Sequence, residues 1–309
     1  MDNKDVSNEK KSAKNSDGKS KSGKVFSKSK VISMIASMLL SIFITVLAIL
    51  FSVKLGFASN NSIINSMEKV GYYDMVYEEF ISKSESLIIP NGLDIEVFDG
   101  VFSKEQIRSD GNSYLTAELN SNVFNVNIEK YKEKLTENIY SYVAEKNLTV
   151  DGDADKVISD ISDEIIDYYV EIIRVPYAST IGVIFRAVSK AFPIMTVVMF
   201  VFALVTAWVI FAQNPYKKNR ILRYFSYSVM SGAFSTLVIP AYCMITKFYE
   251  RIQIRPEYIY KFIVQYIEDG VNILLCTGIV LLVTAIGMIV GSSYMKHRYI
   301  KGSRHRRRD

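Results

Sequence analysis

The sequence predicts a mainly α protein: a four-helix transmembrane bundle, with a mostly helical extracytoplasmic domain inserted between helices 1 and 2. Three observations predict it. Residues 31–53, 191–216, 224–246 and 270–295 form four runs without a single Asp, Glu, Lys, Arg or His. Each run supplies the roughly 20 helical residues, at about 1.5 Å rise, that cross a hydrocarbon core of about 30 Å. The short segments flanking these runs are basic, whereas residues 58–185 carry 23 Asp and Glu against 10 Lys and Arg, a net of −13. Lys and Arg are retained on the cytoplasmic side, so this distribution places both termini inside and the acidic stretch outside a cell membrane.

Residues 1–29 are Lys, Ser, Asn, Asp and Gly with few large apolar side chains. Such a segment cannot offset its ordering entropy, which predicts a disordered basic cytoplasmic tail with loose attraction for anionic lipid and no specific nucleic acid. Residues 31–57 follow as the first span. Gly56, Phe57 and Ala58 imitate a signal cleavage site, but the apolar stretch exceeds the roughly 7–15 residues of a signal core, which favours an uncleaved anchor.

The acidic domain covers residues 58–190. Ile63, Ile64, Met67, Val70, Val76, Tyr77, Phe80 and Ile81 recur at spacings of three and four, predicting one amphipathic helix ended by Pro90, Asn91 and Gly92. Leu93, Ile95 and Val97 alternate with Asp94 and Glu96, as do Phe124, Val126 and Ile128 with their neighbours; the two pieces are expected to pair in a small sheet. Ser103 with Gln106 forms a capping box, for a helix expected to be short because Asp110 and Gly111 read as a turn. Ile128, Tyr131, Leu135, Ile139 and Val143 predict a second long helix. Val157, Ile158, Ile161, Ile165, Tyr168, Tyr169, Ile172 and Ile173 predict a third, closed by Pro176.

Residues 177–190, with Ile181, Ile184, Phe185 and Val188, either lie along the membrane surface or begin a long second span helix. Residues 191–213 are the second span, with Pro193 suited to a first helical turn. Residues 214–223 make a basic cytoplasmic loop with Lys217, Lys218, Arg220 and Arg223, and residues 224–246 the third span. Residues 247–269 read as an outer amphipathic segment whose Tyr258, Tyr260 and Tyr266 suit the headgroup layer. Residues 270–295 are the fourth span and residues 296–309 a basic cytoplasmic tail.

Ser33, Ser37, Ser41 and Thr45 step by four along the first span, a small hydroxyl face suited to close helix packing or, in a channel subunit, to a polar path. Gly287 and Gly291 form a G-x-x-x-G pair; packing inside the bundle is the bland expectation and self-association the functional one. Asp151, Asp153 and Asp155 match the first, third and fifth positions of a calcium loop, but Lys156 replaces the turn glycine and Ser162 the bidentate glutamate, so an acidic helix start is expected instead. Asn147, Leu148 and Thr149 form a sequon of little meaning in a bacterium. Cys243 and Cys276 both lie in apolar runs, so no disulfide staples the outer domain. That pattern, with the Lys-, Ile-, Asn- and Ser-rich composition, fits a Gram-positive bacterial surface.

The only histidines, His297 and His305, lie in the final basic segment. Ser–His and Cys–His nucleophile systems and His-ligated zinc are thereby excluded from the outer domain. Charge-free spans disfavour proton-coupled transport and intramembrane aspartyl proteolysis, and there is no phosphate or dinucleotide loop. No catalytic, metal or cofactor residue is expected. The sequence therefore predicts a non-enzymatic multi-pass protein whose outer domain binds a protein or cell-envelope partner; a channel or transporter subunit with a Ser/Thr-lined path is the alternative.

Overall fold

The computed structural model describes residues 28–147, 154–215 and 218–305. Residues 1–27 of the tail expected over 1–29, Asp151 and Asp153 of the calcium-like loop, Leu148 and Thr149 of the sequon, and Arg306, Arg307 and Arg308 lie outside the described residues, whereas Lys28 and Ser29 begin a helix. Nine α-helices are present among the described residues, and no strand.

Helix α1 (Lys28–Gly56) covers the first apolar run. It leads directly into α2 (Asn60–Lys69) and α3 (Tyr72–Ile88), which correct the single amphipathic helix expected there. The break is at Gly71, whose φ of +64° is a left-handed conformation that glycine enters without steric penalty. Leu93, Ile95 and Val97 do not form a strand. Asp94 accepts a hydrogen bond from the Ile95 amide and starts a single 3₁₀ turn, Ile95–Phe98, which buries Val97 and Phe98. With three alternating residues there is too little ladder to outweigh that local turn, and the expected sheet with Phe124 and Val126 does not exist among the described residues.

Helix α4 (Lys104–Asn120) is capped by Ser103, whose side chain accepts from the Gln106 amide at 3.1 Å. It runs straight through Asp110 and Gly111, correcting the expected turn. Gly111 is there for space: a Cβ at this position would lie 2.5 Å from Tyr73 Cε1. Helices α5 (Ile128–Glu145) and α6 (Ala154–Ile173) follow the predicted periodicity, with Leu135, Ile139, Ile165 and Tyr169 fully buried. Together α2–α6 enclose one hydrophobic core, centred on Met67, Phe80, Ile107, Leu115 and Tyr169.

Residues 178–190 are the first turns of one long helix, α7 (Ala178–Gln213), with Tyr177 as its N-cap. Pro193 consequently sits well inside it rather than in its first turn. Helix α8 (Lys218–Thr246) covers the third apolar run. After a 3₁₀ turn, α9 (Glu257–His305) continues unbroken through the fourth run, so residues 257–269 are not a separate outer helix. Nothing between Glu257 and Gly270 stops a helix, and Gly270 is accommodated because the Phe57 ring occupies the space its side chain would take. Tyr258, expected among headgroups, is instead buried in the lobe core edge-on to Tyr72 (5.2 Å between ring centroids, 86°).

Four helices, α1, α7, α8 and α9, are long and apolar enough to cross a membrane. Helix α1 is central and touches the other three; α8 and α9 pack extensively, and α7 rests on α1 along one flank, where Phe43 stacks on Phe202. The hydroxyl face of α1 lies in these seams. Ser37 Oγ and Ser228 Oγ are 2.9 Å apart, Asn214 Nδ2 donates to Ser33 Oγ, and Ser52 Oγ donates to Thr277 Oγ1 at 3.0 Å. Ser33 and Thr45 also donate back to carbonyls four residues earlier, so these polar groups are satisfied inside apolar surroundings.

Candidate functional site

A groove of about 820 Å³ opens where three parts of the lobe meet. One wall is α3, on which Glu79 and Lys83, one turn apart, flank the buried Phe80. The second is the last turn of α6 with Tyr168, Glu171 and Ile172, followed by Arg174 and Pro176. Pro176 disfavours helical backbone at Val175, which is why the chain turns here and leaves Arg174 at the rim. The third is the entry to α9, contributing Arg255, Pro256, Glu257, Tyr258 and Ile259.

The floor is aromatic and locked. Tyr168 stacks on Phe80 at 5.9 Å, and Lys83 Nζ sits over the Tyr168 ring, 4.0 Å from its centroid. Burial, reinforced by the Glu79 and Glu171 charges, pushes the phenols of Tyr168 and Tyr258 up to about 12. Both are neutral hydroxyls at physiological pH. Around them stand charges of both signs. Glu257 is bound to Lys261 at 2.8 Å, which holds its carboxyl below the usual carboxylate range. Glu79, Glu171, Arg174 and Arg255 make no ion pair among the described residues. The lining offers carboxylates, guanidiniums, one ammonium and two phenol rings, and contains no Ser, Thr, Cys or His.

A second polar cluster lies inside the lobe. Asp110 Oδ2 accepts from Tyr169 at 2.6 Å and Tyr131 at 3.0 Å, and Asp110 Oδ1 accepts from Gln106 at 3.3 Å. Burial first, then the charge of Asp110 and the hydrogen bond to it, raises both phenols, that of Tyr131 to about 12. Their protons stay in place, and the cluster ties α4, α5 and α6 together.

Two joints connect this lobe to the apolar helices. At the first, a Cβ on Gly182 would lie 2.6 Å from the Glu118 carbonyl oxygen, and Arg186 Nη1 donates to that same oxygen at 2.6 Å. A cation thus caps the carbonyl end of α4, where it suits the helix dipole. At the second, Asp269 on α9 accepts from Lys69 and Ser66 of α2 and from Gln265. Burial alone would raise the Asp269 carboxyl, but these donors outweigh it and hold it below the usual range. Beside it, Tyr266 donates to the Phe57 carbonyl at 2.5 Å.

The structure places the sequence-singled residues elsewhere. Gly287 has open space where a side chain would project, and Gly291 only grazes Leu222 at 4.0 Å, so neither makes the packing contact expected within the bundle. The close approaches fall on glycines without a motif: Gly232 against Ile44, Gly278 against Leu237 and Gly56 against Gly270. Asp155 is at the start of α6, where it accepts from Tyr140 at 2.7 Å. No group of three His, Cys, Asp or Glu capable of holding a metal exists among the described residues. The groove and the Asp110 cluster combine residues from distant segments, a proximity that no local spacing announces.

The fold defines a class: a mainly helical protein with four helices apolar enough to span a membrane, carrying a helical lobe between the first two. Comparison with protein-family models, curated proteins and solved structures finds no match.

Proposed function

We propose that this is a non-enzymatic multi-pass protein of the cell membrane, with both termini cytoplasmic. Its lobe, outside, binds a protein or cell-envelope partner, and the span bundle anchors that contact and relays it inward. The observation that carries the reading is continuity: α7 and α9 each pass without interruption from the lobe core into their apolar runs. Residues 178–190 and 257–269 would each stand about 20 Å beyond the apolar run, and both are fastened to the lobe by the joints above. The net charge of −13 over residues 58–185 against basic flanks supports the orientation. The α1 hydroxyls, engaged in helix seams, support a packed bundle over the alternative of a channel or transporter subunit with a Ser/Thr-lined path. The face at Gly287, with half-buried Gly291 one turn on, is the surface through which two copies would associate.

The test uses a cysteine-free background, Cys243→Ser with Cys276→Ser. Val123→Cys, 87% exposed in the parent chain, is expected to react with a membrane-impermeant maleimide on intact cells, and Lys218→Cys only after lysis. Reversed labelling overturns the orientation. Purified protein in sealed liposomes is expected to leave them tight; ion or solute flux dependent on this protein alone would replace the anchor reading with the channel one.

A further inference from the structure

Resting on the reading of the lobe as an outward binding domain, we propose that the groove between α3, the end of α6 and the start of α9 binds a short peptide through its free ammonium and carboxylate ends. The lobe has acids in large excess, and half of its ten cations are in ion pairs with them, among them Arg108 with Glu68, Lys132 with Asp163 and Lys104 with Asp74. Arg174 and Arg255 line the same groove as Glu79 and Glu171, yet none of the four is in an ion pair among the described residues. The other two charges of the groove are already used, Lys83 over the Tyr168 ring and Glu257 on Lys261.

Two unengaged guanidiniums offer planar forks that match a carboxylate, and two unengaged carboxylates accept an ammonium. A ligand carrying both groups complements all four; a purely anionic or cationic one leaves half of them facing like charge. The volume of about 820 Å³ lies within the roughly 300–1,000 Å³ of small-ligand sites. Tyr168, Tyr258, Pro176 and Pro256 supply rigid apolar walls for the intervening backbone and side chains.

Trialanine is the probe, titrated against the full chain in lipid nanodiscs by saturation-transfer NMR. Transfer to its methyl groups is expected, with N-acetylated and C-amidated trialanine each about tenfold weaker, the loss of roughly one charge-assisted contact of 1.4 kcal/mol. Arg174→Gln with Arg255→Gln is expected to erase the difference between acid and amide. Glu79→Gln with Glu171→Gln is expected to erase that between amine and acetamide. All four side chains are on exposed residues, so unchanged thermal melting verifies that the variants fold. Absence of transfer to trialanine, or equal transfer to its capped forms, overturns the site. Repeating the titration with sealed, oriented vesicles separates the site from the topology: binding that needs the cytoplasmic face exposed retains the groove and sinks the outward reading.

Discussion

The two phenols that converge on Asp110 Oδ2 come from α5 and α6, so a single carboxylate on α4 closes the polar accounts of three helices. Tyr169 is fully buried and its hydroxyl has no exit to water. Asp110→Ala is therefore expected to destabilise the lobe by on the order of 2–4 kcal/mol, because it leaves buried donors unpaired. Tyr131→Phe, which removes one donor and keeps the other bond, is expected to cost about 1 kcal/mol. Denaturant titration of the purified protein, followed by tyrosine fluorescence, distinguishes them; equal effects would show that Asp110 is held by something other than its phenols. In the sequence Asp110 precedes Gly111 and looks like a turn. The pair is legible only once Tyr73 is known to lie against Gly111, since the same glycine serves a bend or a close approach.

Element by element, length and the absence of charge were enough to locate the four apolar helices, because no soluble element needs an uncharged run of more than 20 residues. The 3.6-residue period likewise located α5 and α6, whose apolar residues fall on one face. Boundaries were harder where two signals compete. Gly71 breaks one apolar stripe into α2 and α3, and the three alternating residues at 93, 95 and 97 fit a 3₁₀ turn as well as a strand. The glycines of the apolar helices show a similar ambiguity, since a G-x-x-x-G spacing records smallness and not what lies opposite. Gly270→Val is expected to displace the Phe57 ring and lower the thermal midpoint of the monomer by several degrees, a core overpacking on the order of 1–3 kcal/mol. Gly287→Val meets nothing and is expected to leave that midpoint unchanged while weakening any dimer in crosslinking assays. The opposite ranking would mean that α9 is rotated about its axis relative to the packing described here.

At the scale of the whole molecule, the lobe and the apolar bundle are held by different chemistry. The lobe core contains Tyr72, Tyr73 and Tyr169, whose phenols burial pushes well above the ordinary value of about 10. A raised folded-state value means that stability is complete below about pH 10 and drains away as pH climbs through the folded values. Alkaline titration is thus expected to open the lobe first, seen as loss of tyrosine near-UV ellipticity above about pH 10, while the far-UV signal of the apolar helices persists. Simultaneous loss of both signals would contradict the separation. None of this division was visible in composition, which averages an acidic segment with basic ones into a bland +5.

Helix α9 has 49 residues in one uninterrupted stretch, about 70 Å from end to end. Its first turn borders the groove, and about ten helical residues follow the apolar run at its other end. A stiff lever of that length pivoting near its middle converts a tilt of five degrees at one tip into a swing of roughly 3 Å at the other. If the proposed groove is occupied and α9 tilts in response, the opposite extremity moves sideways with it, since the helix is unbroken between the two.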